Sequence, residues 1–176
     1  MTYLIKYIKN FIRLLRIKST FNYVQRSVYS NKTLYLLILC YIITLSAVTI
    51  LRERAFLTSG FDLGIFNQSF STTLFDNKLF YSTGDLSFNP DGSFFGVHFS
   101  PILFILLPFY AIYPGPENLL VMQTVILALG ALPIYWMTRD KLGKKIGLSL
   151  ALVYLCSPLL LAINLYDFHL EAFTST

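Results

Sequence analysis

The chain has 176 residues, of which 55% are hydrophobic and 13% charged, and its mean hydropathy is +0.61. A soluble domain has about 45–50% apolar and about 25% charged residues; the apolar excess here comes in blocks suited to lipid, which excludes a water-soluble globule and fits one membrane domain. The net charge of +5 does not mark a nucleic-acid partner, because seven Lys/Arg fall in residues 1–32 and no acid precedes Glu53. That is the basic, lipid-facing flank of a membrane protein.

In chain order, residues 3–17 read as an amphipathic helix. Lys6, Lys9, Arg13 and Arg16 share one face, and Leu4, Ile8, Phe11, Ile12 and Leu15 share the other. Such a helix can lie in the headgroup layer. Residues 1–32 are therefore expected to form a basic cytoplasmic N-terminus, and 33–176 the membrane domain. The first span is expected over about 34–51, closed by Arg52-Glu-Arg54.

Residues 52–117 form a long loop rich in aromatic residues, with a turn signal at Asn89-Pro-Asp-Gly92. Rings with an apolar body and a wet edge suit the membrane interface, so short interfacial helices are expected there. The apolar run 101–113 is too short to cross about 30 Å of hydrocarbon. It contains Pro108 and ends at Pro114-Gly-Pro116, and is read as a re-entrant or interfacial helix. Further spans are expected over about 118–138 and about 146–165, the last bent at Pro158. The fold class is thus all-α transmembrane: about three spans, an amphipathic N-terminal helix and a re-entrant helix. Cys40 and Cys156 sit inside apolar blocks without metal or disulfide spacing, and Asn67-Gln-Ser69 matches a glycosylation sequon.

Orientation follows from the cations. Seven precede the first span and four lie in 139–145, so both regions are expected on the cytoplasmic side of the cell membrane. An even number of crossings separates them, so 101–113 does not cross. Residues 52–117 and 166–176 then share the outer side, and six of the nine acids fall in the first of these.

This topology collects Asp62, His98, Asp167, His169 and Glu171 on one side. Asp62 fits the first turn of a helix, where the dipole favours an acid. His98 precedes the re-entrant segment. Asp167, His169 and Glu171 alternate at spacing two, which in extended backbone places all three on one face. Acid-X-His-X-acid can supply ligands for a divalent metal or an acid/base pair; a solvated helix end is the structural alternative.

Four blocks occur in order: Phe61-Asp-Leu-Gly-Ile-Phe-Asn-Gln68, His98-Phe-Ser-Pro101, Ala128-Leu-Gly-Ala-Leu-Pro-Ile-Tyr135 and Asp167-Phe-His-Leu-Glu171. Over roughly 50–173 the chain resembles a family of predicted multi-spanning prokaryotic membrane proteins of unknown function. That family in turn resembles the GT-C glycosyltransferases, such as protein mannosyltransferases. The resemblance implies a polyprenyl-phosphate sugar donor, Asp62 and His98 as catalytic residues, and Asp167, His169 and Glu171 as a second acidic or metal-binding motif. Here the first motif holds one acid, with Leu63 and Asn67 where an acidic pair is the pattern, and the second holds a histidine. GT-C enzymes have more spans, so the resemblance implies an N-terminal module completed by further C-terminal helices or a partner subunit. Two alternatives are a non-catalytic membrane protein (a truncated fragment or assembly subunit) and a transporter component. Charge-free spans and the lack of an internal repeat count against transport.

Overall fold

The computed structural model describes residues 31–173. The chain divides into two compact units, 1–36 and 37–176. The described part of the first is the start of helix α1, and the expected amphipathic helix over 3–17 lies outside the described residues. Seven α-helices and three 3-10 turns make up the described regular structure.

Helix α1 (Lys32–Arg54) has 23 residues, long and apolar enough to cross a membrane. At 1.5 Å per residue it reaches about 35 Å, against about 30 Å of hydrocarbon. Helix α2 (Phe61–Phe75) follows a short connection. After it comes a compact loop with 3-10 turns at Asp85–Ser87 and Phe94–Gly96. The expected turn is present: Gly92 N–H donates to the Asn89 carbonyl at 2.8 Å. It folds Tyr81 and Ser93 into an antiparallel bridge.

Helix α3 (Ile102–Ile112) is 11 residues long, as its sequence requires, and runs through Pro108. Helix α4 (Pro116–Leu129) and α5 (Ala131–Leu142) form one 27-residue apolar stretch, the second helix long enough to cross. Their junction residue Gly130 keeps helical angles, so the break is slight. Helix α6 (Lys144–Leu155) and α7 (Pro158–Leu165) meet at a 42° bend and together could make a third span. Pro158 opens α7, where its missing N–H costs nothing. The architecture is all-helical, with two to three candidate spans and no strand among the described residues.

The α5–α6 hairpin turns on Gly143, at φ 91°. Close approach is possible because of Gly147: a Cβ there would lie 3.1 Å from the Tyr135 carbonyl oxygen and 3.2 Å from the Arg139 nitrogen. Polar ties join the other helices. Thr124 Oγ1 donates to Asn164 Oδ1 at 2.9 Å across α4 and α7, and the Tyr154 hydroxyl donates to the Leu127 carbonyl at 2.9 Å across α6 and α4. Without water to compete, such bonds fix helix register.

The loop is a packed layer with its own core. Leu63, Phe66 and Phe70 of α2, Phe80 and Phe94 of the loop, Leu103, Leu106 and Tyr110 of α3, Leu119 and Leu120 of α4, and Phe168 and Leu170 form one buried cluster. Phe70 stacks on Tyr110 with centroids 5.0 Å apart, and Phe66 packs edge-on to Phe168 at 5.1 Å. The last residue of α1, Arg54, pairs at 3.0 Å with Glu117 in the first turn of α4. The end of α1 and the start of α4 are therefore adjacent, with α3 folded between them in sequence. The sequon falls inside α2: Ser69 is fully buried and Asn67 Oδ1 accepts the Tyr110 hydroxyl at 2.7 Å.

Candidate functional site

Gly60 begins α2 from a φ of 73°, left-handed backbone that a Cβ would strain. The helix starts at Phe61, so Asp62 falls in its first turn, as the sequence predicts. Asp62 Oδ2 lies 3.4 Å from His169 Nε2. The other ring nitrogen, Nδ1, is 3.0 Å from the Asp167 carbonyl. A carbonyl only accepts, so Nδ1 carries a proton there. With Nδ1 protonated, the contact between Nε2 and Asp62 is an ion pair when the ring carries a second proton. A carboxylate and an imidazole thus stand side by side in a cavity wall, two groups of the kinds that serve in proton transfer.

The segment bearing His169 is held by α4. Gln123 is fully buried. Its Nε2 donates to the carbonyls of Ile163 (3.3 Å) and Asp167 (3.1 Å), and its Oε1 accepts the His169 N–H at 2.7 Å. One amide therefore replaces the helical partners lost where α7 ends.

Asp62, His98, His169 and Glu171 line one cavity of about 740 Å³, within the about 300–1,000 Å³ usual for small-molecule sites. Three segments distant in sequence converge there. Phe66, Phe94 and Phe168 supply apolar wall, and no Lys or Arg lines it among the described residues. His98 is exposed, three residues before Pro101 and outside α3; its ring lies 5.5 Å from that of Phe94.

Asp167 departs from the expectation. It is fully buried and absent from the cavity wall; its Oδ2 accepts a hydrogen bond from Ser59 Oγ, while Oδ1 has no partner among the described residues. Asp167 and His169 lie in irregular backbone past the end of α7 and Glu171 in a 3-10 turn (Leu170–Phe173), so the alternation of an extended strand does not hold, and only His169 and Glu171 face the cavity. Asp167 instead locks the approach to α2 onto the end of α7. The three-residue metal motif is split by this, and no group of three or more His, Cys, Asp or Glu among the described residues is arranged to hold a metal ion.

Two residues of the candidate site escape the sequence reading. Asp85 lines the cavity although it is 3% exposed. Its Oδ2 accepts from Ser82 Oγ at 2.7 Å, and Ser82 Oγ accepts the Asp85 N–H at 3.1 Å. Ser82-Thr-Gly-Asp85 has capping-box spacing, a signal that was available. Gln123 was legible as a polar amide inside an apolar span, where such groups find partners across helices.

No curated protein and no solved structure matches this chain. A family model described as "Predicted membrane protein (DUF2079)" matches residues 52–174, which takes in the loop layer, α2 to α7 and every residue of the cavity wall. The chain belongs to the DUF2079 family of predicted membrane proteins.

Proposed function

We propose that the cavity is the outer-face site of a GT-C-like sugar-transfer module, embedded in the cell membrane with a cytoplasmic N-terminus. The observation that carries this reading is the convergence of Asp62, His98, His169 and Glu171 on one aromatic-walled cavity at the end of the helices. The adjacency of Arg54 and Glu117 supports a first helix that exits and a second that returns, with α3 left at the interface. The substrate is a polyprenyl-phosphate sugar, reaching the cavity from the lipid.

In the reaction, Asp62 takes the proton of an acceptor hydroxyl as that oxygen attacks the anomeric carbon. The carbon–oxygen bond to phosphate breaks, and polyprenyl phosphate leaves. His169 stands beside Asp62 and orients it; His98, in the wall of the same cavity, meets the acceptor or leaving group. Exposed apolar faces on α1 and α6, such as Ile43 and Val153, are covered by lipid or by further helices of the same assembly.

The test is transfer of a radiolabelled hexose from a polyprenyl-phosphate donor by the chain in its native membranes, compared with membranes carrying Asp62→Asn. Loss of at least about 100-fold with the variant is expected for removal of a general base. Equal transfer by the two, or none by either, refutes the proposal.

A further inference from the structure

The helices hold a second polar group of residues, separate from the cavity. Tyr41 of α1 is buried, and Asn164 of α7 and Thr124 of α4 are fully so. Thr124 Oγ1 is bonded to Asn164 Oδ1 at 2.9 Å, which fixes the amide and leaves Nδ2 on its other side. The Tyr41 hydroxyl meets the Asn164 side chain, with Tyr154 and Cys156 nearby. Neither the Tyr41 hydroxyl nor Asn164 Nδ2 has a hydrogen-bond partner among the described residues. Unpaired donors are costly inside an apolar span. Asn164 Nδ2 carries two hydrogens and the phenol one, so a direct bond between the two side chains would still leave two of the three without an acceptor.

We propose that Tyr41, Asn164 and Tyr154 hold one buried water molecule between α1, α7 and α6. Water accepts from Asn164 Nδ2 and from the Tyr41 hydroxyl. It returns a hydrogen to the Tyr154 oxygen, whose own hydrogen goes to the Leu127 carbonyl at 2.9 Å. Three protein partners are the usual number for an internal water. A charged ligand is disfavoured, because residues 34–51, 118–138 and 146–165 carry no Asp, Glu, Lys or Arg to balance it. A cation is disfavoured further, since the unpaired groups present hydrogens to the site. The site adjoins the frame that holds the cavity. Thr124 follows Gln123 on α4, and Asn164 follows Ile163, whose carbonyl Gln123 binds. The water thus ties α1 to the helices that carry the His169 segment. This inference stands apart from the sugar-transfer reading and survives its failure.

The test is X-ray radiolytic footprinting of the full chain in lipid nanodiscs, read by mass spectrometry of oxidised tyrosines. Hydroxyl radicals form from the water in place and mark the side chains that hold it. Tyr41, 8% exposed, is expected to oxidise much faster than Tyr110 and Tyr135, at 1% and 0%, and at a rate approaching that of Tyr113, at 60%. Oxidation of Tyr41 as slow as that of Tyr135 overturns the proposal in favour of a direct contact between Tyr41 and Asn164. Asn164→Leu removes one of the water's hydrogen bonds and should slow the oxidation of Tyr41 about tenfold, with Tyr113 as the internal reference. An unchanged rate in a variant with the parent's helical circular dichroism also overturns the proposal. Tyr154→Phe, a smaller change, carries the same expectation and decides the matter where Asn164→Leu does not fold.

Discussion

Gln123→Leu tests the claim that a single buried amide holds the site together. Leucine keeps most of the volume, so packing on α4 changes little. Three hydrogen bonds disappear, at 3.3, 3.1 and 2.7 Å. At about 1 kcal/mol each the loss is about 3 kcal/mol. It is not recovered elsewhere, because the Ile163 carbonyl and the His169 N–H are left facing an apolar span. For a chain of this size, about 1 kcal/mol lowers the melting temperature by about 2–4 °C, so a drop of about 6–12 °C is expected. The assay is thermal unfolding of the detergent-solubilised protein followed by helical circular dichroism. Gln123→Glu should be worse, since a carboxylate would face two carbonyls in a buried position. A melting temperature within about 1 °C of the parent for Gln123→Leu would show that the 163–169 segment is held by other contacts, and the positioning argument would fall.

Other outcomes follow from the same packing. Burial pushes the Tyr110 hydroxyl above its ordinary value of 10.0, against the smaller lowering effect of a hydrogen bond with the Gly115 backbone. The folded state holds that proton more tightly than the unfolded one, so stability is full below pH 10 and falls as pH rises past it. Tyr110→Phe should flatten this alkaline decline while costing about 1 kcal/mol at neutral pH through the lost bond to Asn67, both read from melting curves across pH. Gly147→Val should destabilise by about 1–3 kcal/mol by forcing the α5–α6 hairpin apart. Gly64→Ala, where an added Cβ meets nothing within 4 Å, should stabilise α2 by about 0.5–1 kcal/mol; the same melting assay compares them. The proposed topology predicts that, with Cys40 and Cys156 replaced, an impermeant thiol reagent outside cells labels cysteines at Ser87 and Tyr166 but not at Lys145. Labelling at Lys145 with none at Tyr166 would mean that α3 crosses, which would break the single site.

The spans and their approximate lengths are legible in the apolar blocks of the chain. Apolar block length against membrane thickness is a local property, and it placed α1, the α4–α5 stretch, the bend at Pro158 and the short α3 within a few residues. Asp62 in a first helical turn and the Asn89–Gly92 turn were equally local. The convergence of Asp62, His98, His169 and Glu171 was expected only as a shared side of the membrane, inferred from cation counts; the common cavity came from how α2, the loop and the end of α7 pack. Side-chain direction in irregular backbone depends on packing between distant segments. Spacing of two implies one face only in extended chain, and the irregular backbone at residues 167–169 does not obey that rule. Asp167 turned inward to Ser59, while His169 turned to Asp62. Gln123 gained its role from partners 40 to 46 residues on in the chain, and Asp85 lines the cavity with residues of α2 and the segment after α7. Such contacts depend on which segments meet after folding, and no local periodicity encodes them.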